Sequence, residues 1–154
     1  MPTEDRELTD YDRVILTEVM DRLVPPVGDL PGAGGLDLRE RLERISQRVP
    51  RLRKALIMTL DAFSLDVTAR AEGGFAAMSP EAQDKAIRVV EGNMPEQFTG
   101  LLELVYEVYY TDSRVHEHIG WVGRPPQPEG FEMEPWDESI LNNIRNRKPF
   151  WRKA

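Results

Sequence analysis

Residues 50–63 read PRLRKALIMTLDAF, and the spacing of their apolar side chains decides the predicted fold class. The apolar positions in and just after this stretch are Leu52, Leu56, Leu60, Phe63 and Val67. They recur every three or four residues, which is the period of one face of an α-helix. Pro50 suits the first position of a helix, because its missing N–H would have no partner there. The stretch therefore predicts an amphipathic helix that ends near residues 71–74 and whose apolar stripe belongs to a core.

The same period continues on both sides of this helix. Further helices are predicted for residues 9–24, 36–49, 80–91 and 96–110, with a short terminal helix for residues 136–145. Thr9, Asp37 and Ser79 lie at the starts of three of them as candidate capping side chains. We therefore expect an all-α fold, in which a small bundle of about five helices is followed by a long irregular arm rich in proline, glycine and aromatic residues.

Length and composition limit the organisation of the chain. Its 154 residues fit a single domain, with the bundle over residues 8–110 and the C-terminal arm over residues 111–154. A formal net charge of −7 argues against a nucleic-acid partner, and the lack of cysteine excludes disulfides, thiolate metal sites and a cysteine nucleophile. No apolar run approaches the ~20 residues that span a membrane. The charged N-terminus shows no secretory signal, so a cytoplasmic protein is expected.

The segment PPVGDLPGAGG at residues 25–35 is too rich in proline and glycine for regular secondary structure. Its glycine-rich end invites comparison with a phosphate-binding loop. The lysine and the serine or threonine that such a loop needs do not follow it, however. We therefore expect a surface loop with a few fixed turns.

Few side chains offer chemistry of their own. His116 and His118 are the two histidines of the chain, and in an extended segment their side chains would share a face and could chelate a metal. The alternative is that both are hydrogen-bonded or solvated in a polar loop. The sequence contains neither a nucleophile elbow nor a dinucleotide-binding glycine motif. We therefore expect no catalytic residue and no bound cofactor in this chain, with a His116/His118 metal site as the alternative.

The C-terminal arm holds aromatic residues between glycines and prolines that fix bends in the backbone. Such residues suit a protein–protein interface, because a preordered backbone loses little entropy on docking. Two interpretations stay open at this point: the arm folds back over the bundle, or it lies on a partner protein. The predicted partner-binding residues are Tyr109, Tyr110, Gly120, Trp121, Gly123, Phe131, Trp136, Phe150 and Trp151.

Four stretches, in order and spacing, resemble the gluconate 2-dehydrogenase subunit 3 family over about residues 8–128. The first is the opening helix that runs into the loop, with Leu23-Val24-Pro25-Pro26 and Leu30-Pro31-Gly32-Ala33. The second and third are Gly74-Phe75 with Met78-Ser79 and Ala82-Gln83, and the helix that contains Phe98 and Leu101. The fourth and most specific is Tyr109-Tyr110-Thr111-Asp112 leading to Ile119-Gly120-Trp121-Val122-Gly123.

The resemblance implies a non-catalytic accessory subunit without a cofactor of its own. Its partner in a hetero-oligomer would be an FAD-dependent catalytic large subunit of the glucose–methanol–choline type, which holds the flavin and the sugar or alcohol site. Many relatives carry a twin-arginine export signal, which is not visible at this N-terminus, so we expect a cytoplasmic complex that oxidises a sugar or glycoside. The alternative function is a small metal-binding enzyme or sensor that uses His116 and His118.

Overall fold

The computed structural model describes residues 6–123, 130, 132 and 135–148, and these residues form helices and no strand. In chain order the α-helices are α1 (Asp10–Leu23), α2 (Arg39–Arg48), α3 (Pro50–Ser64), α4 (Val67–Glu72), α5 (Pro80–Asn93), α6 (Pro95–Tyr110), α7 (Ser113–His118) and α8 (Asn142–Arg145). Short 3-10 turns cover Phe75–Ala77 and Glu138–Leu141. The predicted all-α fold class is confirmed. None of the described helices is long and apolar enough to cross a membrane.

The described residues divide into two compact units. The first extends to Val122 and contains α1 to α7, and the second begins at Gly123 and contains α8. The residues after 110 were predicted to be irregular, and this prediction is wrong for Ser113–His118, which form α7. Asp112 caps this helix, since its carboxylate accepts the N–H of Arg114 at 3.0 Å. An aspartate at this position satisfies a backbone donor that would otherwise lack a partner.

α3 is the central helix of the first unit and packs against α1, α2, α5 and α6. Its buried apolar side chains include Leu52, Leu56, Ile57, Leu60 and Phe63. Burial of each such side chain contributes about 1.5–3 kcal/mol to stability. α3 approaches α6 closely at Gly100, where a Cβ atom would lie 2.6 Å from the Cβ of Ala55. The apolar stripe of residues 52–63 is therefore the centre of the core, as predicted.

The predicted continuation of this helix beyond residue 64 is wrong, because two helices occupy the stretch. α3 ends at Ser64, and α4 begins after Asp66, whose carboxylate accepts the N–H groups of Thr68 and Ala69. Val67 is the first residue of α4 and is 82% exposed, so it does not belong to the apolar stripe. A capping aspartate gives the backbone an alternative to continuing the helix, and helical spacing alone does not reveal it.

α2 begins at Arg39, three residues later than predicted, and Asp37 is not its cap. Leu38 stands at the N-cap position without a side-chain hydrogen bond. Asp37 has a φ of 55°, and its neighbours Leu36 and Leu38 are both buried. The turn at Asp37 allows both leucines to enter the core. Their burial, about 1.5–3 kcal/mol each, outweighs the ~1 kcal/mol of a capping bond.

The proline- and glycine-rich loop between α1 and α2 packs on α1, so the surface-loop prediction is wrong for its second half. Ala33 is fully buried, and the Asp21 carboxylate of α1 accepts the N–H groups of Gly34 and Gly35 at 2.9 and 3.2 Å. A Cβ atom on Gly34 would overlap the carbonyl oxygen of Thr17. The glycine therefore permits close approach to α1, and these N–H groups bind the protein's own carboxylate instead of a phosphate.

Candidate partner interface

The C-terminal half of α6 presents an exposed stripe opposite its buried one. The exposed positions are Glu103, Tyr106, Glu107 and Tyr110, whose spacing of three and four residues places them on one face. The Tyr106 and Tyr110 rings lie 5.9 Å apart and are 43% and 53% exposed. Two large aromatic side chains are thus held together at the surface.

Tyr109 differs from the other two tyrosines because it lies on the buried side of α6. It is 6% exposed, and its ring meets that of Tyr110 edge-on at 5.1 Å. Burial raises the pKa of the Tyr109 hydroxyl, and the neighbouring Tyr110 adds to the shift. Of the two predicted partner-binding tyrosines, Tyr110 is available at the surface, whereas Tyr109 supports it from the core.

α7 ends in a Schellman motif that positions Trp121. The N–H of Trp121 donates to the carbonyl oxygen of His116 at 2.9 Å, and the N–H of Gly120 donates to that of Glu117 at 3.2 Å. Gly120 has a φ of 69°, the left-handed conformation that the motif requires and that glycine adopts without strain. The rings of His116 and Trp121 lie 4.2 Å apart. Gly120 and Trp121, both predicted to bind a partner, therefore act as parts of one motif.

His116 connects the end of α6 to Trp121. Its Nε2 lies 2.6 Å from the carbonyl oxygen of Tyr110. Since a carbonyl oxygen can only accept, this nitrogen carries the proton. The ring is therefore fixed between a backbone acceptor on one side and Trp121 on the other.

The two histidines lie on a helix, so the extended segment assumed for a metal site is wrong. Two residues apart on a helix, the side chains of His116 and His118 point to different sides of the axis. Among the described residues, no group of three or more His, Cys, Asp or Glu side chains could hold a metal ion. The geometry makes His116 a support for Trp121.

α7 is anchored to the bundle by one polar and one apolar side chain. The Arg114 guanidinium donates to the carbonyl oxygen of Leu36 at 2.8 Å and to both carboxylate oxygens of Asp112 at 2.8 and 2.9 Å. The hydrogen bonds from Arg114 lower the pKa of Asp112, which keeps this capping carboxylate ionised. Val115 is buried in the core. α7, which positions Trp121, is therefore fixed before any partner binds.

We call the exposed apolar side chains at the end of α6 and directly after α7 the Tyr–Trp patch. Its members are Tyr106, Tyr110, Ile119, Trp121 and Val122. Trp121 is 48% exposed. Exposed apolar groups that include aromatic residues are typical of sites that bind another protein.

The sequence profile of the gluconate 2-dehydrogenase subunit 3 family matches residues 10–124. The chain belongs to this family. No curated protein and no solved structure matches the chain. The matched residues begin where α1 begins and include α7 and the whole Tyr–Trp patch. The family name describes a subunit of a dehydrogenase complex, so the patch lies within the region that defines an accessory subunit.

The other predicted partner-binding residues lie in the second unit or outside the described residues. Gly123 has a φ of 70° and begins the second unit. Trp136 is exposed and precedes Asp137, whose carboxylate accepts the N–H of Ser139 at 2.9 Å. Of the predicted partner-binding residues, three lie outside the described ranges: Phe131, Phe150 and Trp151.

One groove of the first unit, of about 260 Å³, lies beside α4 and α5 and is lined mainly by apolar side chains, among them Leu65, Val67 and Val89. Asp66, the acidic group in its lining, is already hydrogen-bonded as the cap of α4. This groove therefore has the character of a contact surface.

Sequence reasoning missed three members of the patch, Tyr106, Ile119 and Val122, and the supporting role of His116. Tyr106 precedes Tyr110 by four residues, which is the helical spacing that brings two rings together. His116 precedes Gly120 by four residues, which is the separation between the C3 and C′ positions of a Schellman motif. Both signals are present in the sequence, but the second requires knowing that residues 113–118 are helical.

Proposed function

We propose that this chain is a non-catalytic accessory subunit that binds and stabilises an FAD-dependent large subunit of the glucose–methanol–choline type, which oxidises a sugar, glycoside or alcohol. In this proposal the flavin and the substrate site belong to the large subunit, and the two chains form a hetero-oligomer. The observation that carries the proposal is the Tyr–Trp patch, which is exposed, preordered and located within the residues that match the family.

The patch has the properties of an interface anchor. Trp121 is held by the Schellman motif and by His116, yet about half of its surface is free for a partner. Tyrosine and tryptophan are enriched among the residues that dominate binding energy, because they bury a large area and lose few rotamers. A fixed aromatic group of this kind serves recognition without contributing to chemistry.

Replacement of Trp121 tests the proposal. Trp121→Ala should weaken binding to the large subunit by ~2 kcal/mol or more, which is roughly a 30-fold increase in Kd. Titration calorimetry with the purified, FAD-loaded large subunit measures this directly. Dehydrogenase activity of the mixture should fall because less complex is assembled. It should recover when the variant is supplied in excess, since Trp121 takes no part in the reaction.

Tyr11→Ala is the matched control, because Tyr11 is also about half exposed but lies on α1. Its Kd should stay within about twofold of the wild-type value. Equal affinity of Trp121→Ala and the wild type would contradict the role of the patch. Stoichiometric zinc or iron in the purified chain, lost when His116 and His118 are both replaced by alanine, would contradict the accessory role and support the alternative metal-binding function.

A further inference from the structure

α2 carries three arginines on one side. Arg41, Arg44 and Arg48 are spaced by three and four residues, so they lie within about 60° of one another around the helix axis. Leu42 and Ser46 are buried on a different side of the helix. Arg44 and Arg48 are exposed, and Arg41 is half-buried. We call these three residues the arginine face.

Neighbouring carboxylates do not neutralise this face within the described part of the chain. Glu43 pairs with Arg13 at 3.5 Å, and Glu103 of α6 pairs with Arg51 at 2.7 Å. The two exposed arginines of the face make no ion pair with a described residue. Residues 39–54 hold seven basic and two acidic side chains in a chain whose formal net charge is −7, and of these basic residues Arg39 and Arg51 pair with Asp37 and Glu103 outside the range. Positive charge is therefore concentrated on one part of an acidic protein.

The arginine face borders the Tyr–Trp patch. The Arg41 guanidinium donates to the carbonyl oxygen of Thr111 at 3.4 Å, and Thr111 caps α6 directly after Tyr110. Arg41 of the face thus reaches the end of α6 beside Tyr110, so the face lies next to one end of the patch. Arginine, tyrosine and tryptophan are the residue types most enriched among interface hot spots.

We propose that the partner docked on the Tyr–Trp patch presents a strip of Asp and Glu carboxylates to the arginine face. This inference rests on the proposed function and adds the chemistry of the partner's surface. A carboxylate matches the planar guanidinium of arginine with two parallel N–H···O bonds. Opposite charges on the two surfaces also speed association at low ionic strength. A protein fits the surface better than a polyanion, because the acidic chain repels a polyanion as a whole and the adjoining patch needs apolar cover.

The test compares Arg44→Gln/Arg48→Gln with the wild type in stopped-flow association with the purified, FAD-loaded large subunit. Both side chains are exposed, so the melting temperature should not change. We expect the association rate at low ionic strength to fall roughly tenfold and its dependence on salt to flatten.

Two further variants serve as controls. Arg70→Gln/Arg88→Gln removes the same charge from exposed positions on α4 and α5, and it should change the rate by less than about twofold. Arg44→Lys/Arg48→Lys keeps the charge without the guanidinium fork. It should restore the association rate while leaving the complex with a faster dissociation rate than the wild type.

The outcomes separate this inference from the proposed function. Equal rates and equal salt dependence for Arg44→Gln/Arg48→Gln and the wild type, while Trp121→Ala still weakens the complex, would overturn the acidic strip alone. Failure of the wild type to bind the large subunit would overturn both. Vesicles containing phosphatidylglycerol and duplex DNA are additional probes. Saturable wild-type binding to either one, lost in the arginine variant, would assign the face to a polyanion and overturn an acidic protein surface.

Discussion

Gly34→Ala should destabilise the chain strongly, whereas the same change at Gly92 should not. At Gly34 a methyl group would overlap the Thr17 carbonyl oxygen and lie 2.9 Å from the Asp21 carboxylate, and both belong to the rigid helix α1. Overpacking of this kind costs about 1–3 kcal/mol. Displacement of the loop would also weaken the 2.9 Å hydrogen bond from Gly34 to Asp21, which is worth about 1.5–3 kcal/mol for a charged acceptor. We expect a total loss of about 3 kcal/mol.

Gly92 is the matched position because it lies in α5, where an added methyl group would have no atom within 4 Å. Gly92→Ala should raise the free energy of unfolding by up to about 1 kcal/mol, since alanine favours a helix. Urea unfolding followed by circular dichroism at the helix band measures both variants. A Gly34→Ala protein as stable as the wild type would refute the close approach of the loop to α1. If phosphate raised the stability of the wild type but not that of Gly34→Ala, the structural role of Gly34 in the loop would be refuted.

Two further predictions concern the core and the N-terminal segment. Leu60→Ala should lower the free energy of unfolding by about 2–5 kcal/mol, because Leu60 is fully buried in α3, and an unchanged urea midpoint would show that α3 faces a partner instead. Asp12 is buried, which by itself raises its pKa, but hydrogen bonds from Arg6 and Thr9 outweigh this and hold the pKa below its ordinary value. Stability from Asp12 is therefore present above about pH 4 and lost as the pH falls through the lower, folded-state pKa. Asp12→Asn should reduce unfolding free energy at pH 7 and flatten its decline in acid, and an identical pH profile for variant and wild type would contradict this coupling.

Local signals in the sequence predicted the starts of α1 and α5, whereas the equally local caps Asp66 of α4 and Asp112 of α7 were not recognised. Thr9 caps α1, and Asp12 completes the capping box as expected from their spacing of three. Ser79 caps α5 and is followed by proline at the first helical position. These contacts join residues within one turn, so the sequence contains all the information that they require.

Other errors arose where distant contacts overrule local preference. Asp37 is a good capping residue, but the burial of Leu36 and Leu38 fixes it in a turn instead. Gly34 looks like part of a flexible loop until Thr17 and Asp21 are placed beside it. Thr17 and Asp21 are 17 and 13 residues away from Gly34 in the chain, and no period or motif identifies them. Distant contacts also decide which candidate site residues are at the surface. Tyr110 is exposed and Tyr109 is buried because of which side of α6 meets the core.

The order of the Tyr–Trp patch depends on the bundle, which connects the stability of the fold to the proposed docking. α7 has six residues, and an isolated helix of that length does not form in water. It exists here because Val115 enters the core and Arg114 binds the carbonyl oxygen of Leu36. Each backbone residue ordered on binding would cost about 1–2 kcal/mol. Because folding has already ordered the residues from α7 to Trp121, that cost does not reduce the affinity for a partner. Loss of the α7 anchor would therefore weaken docking even though neither anchoring side chain belongs to the patch.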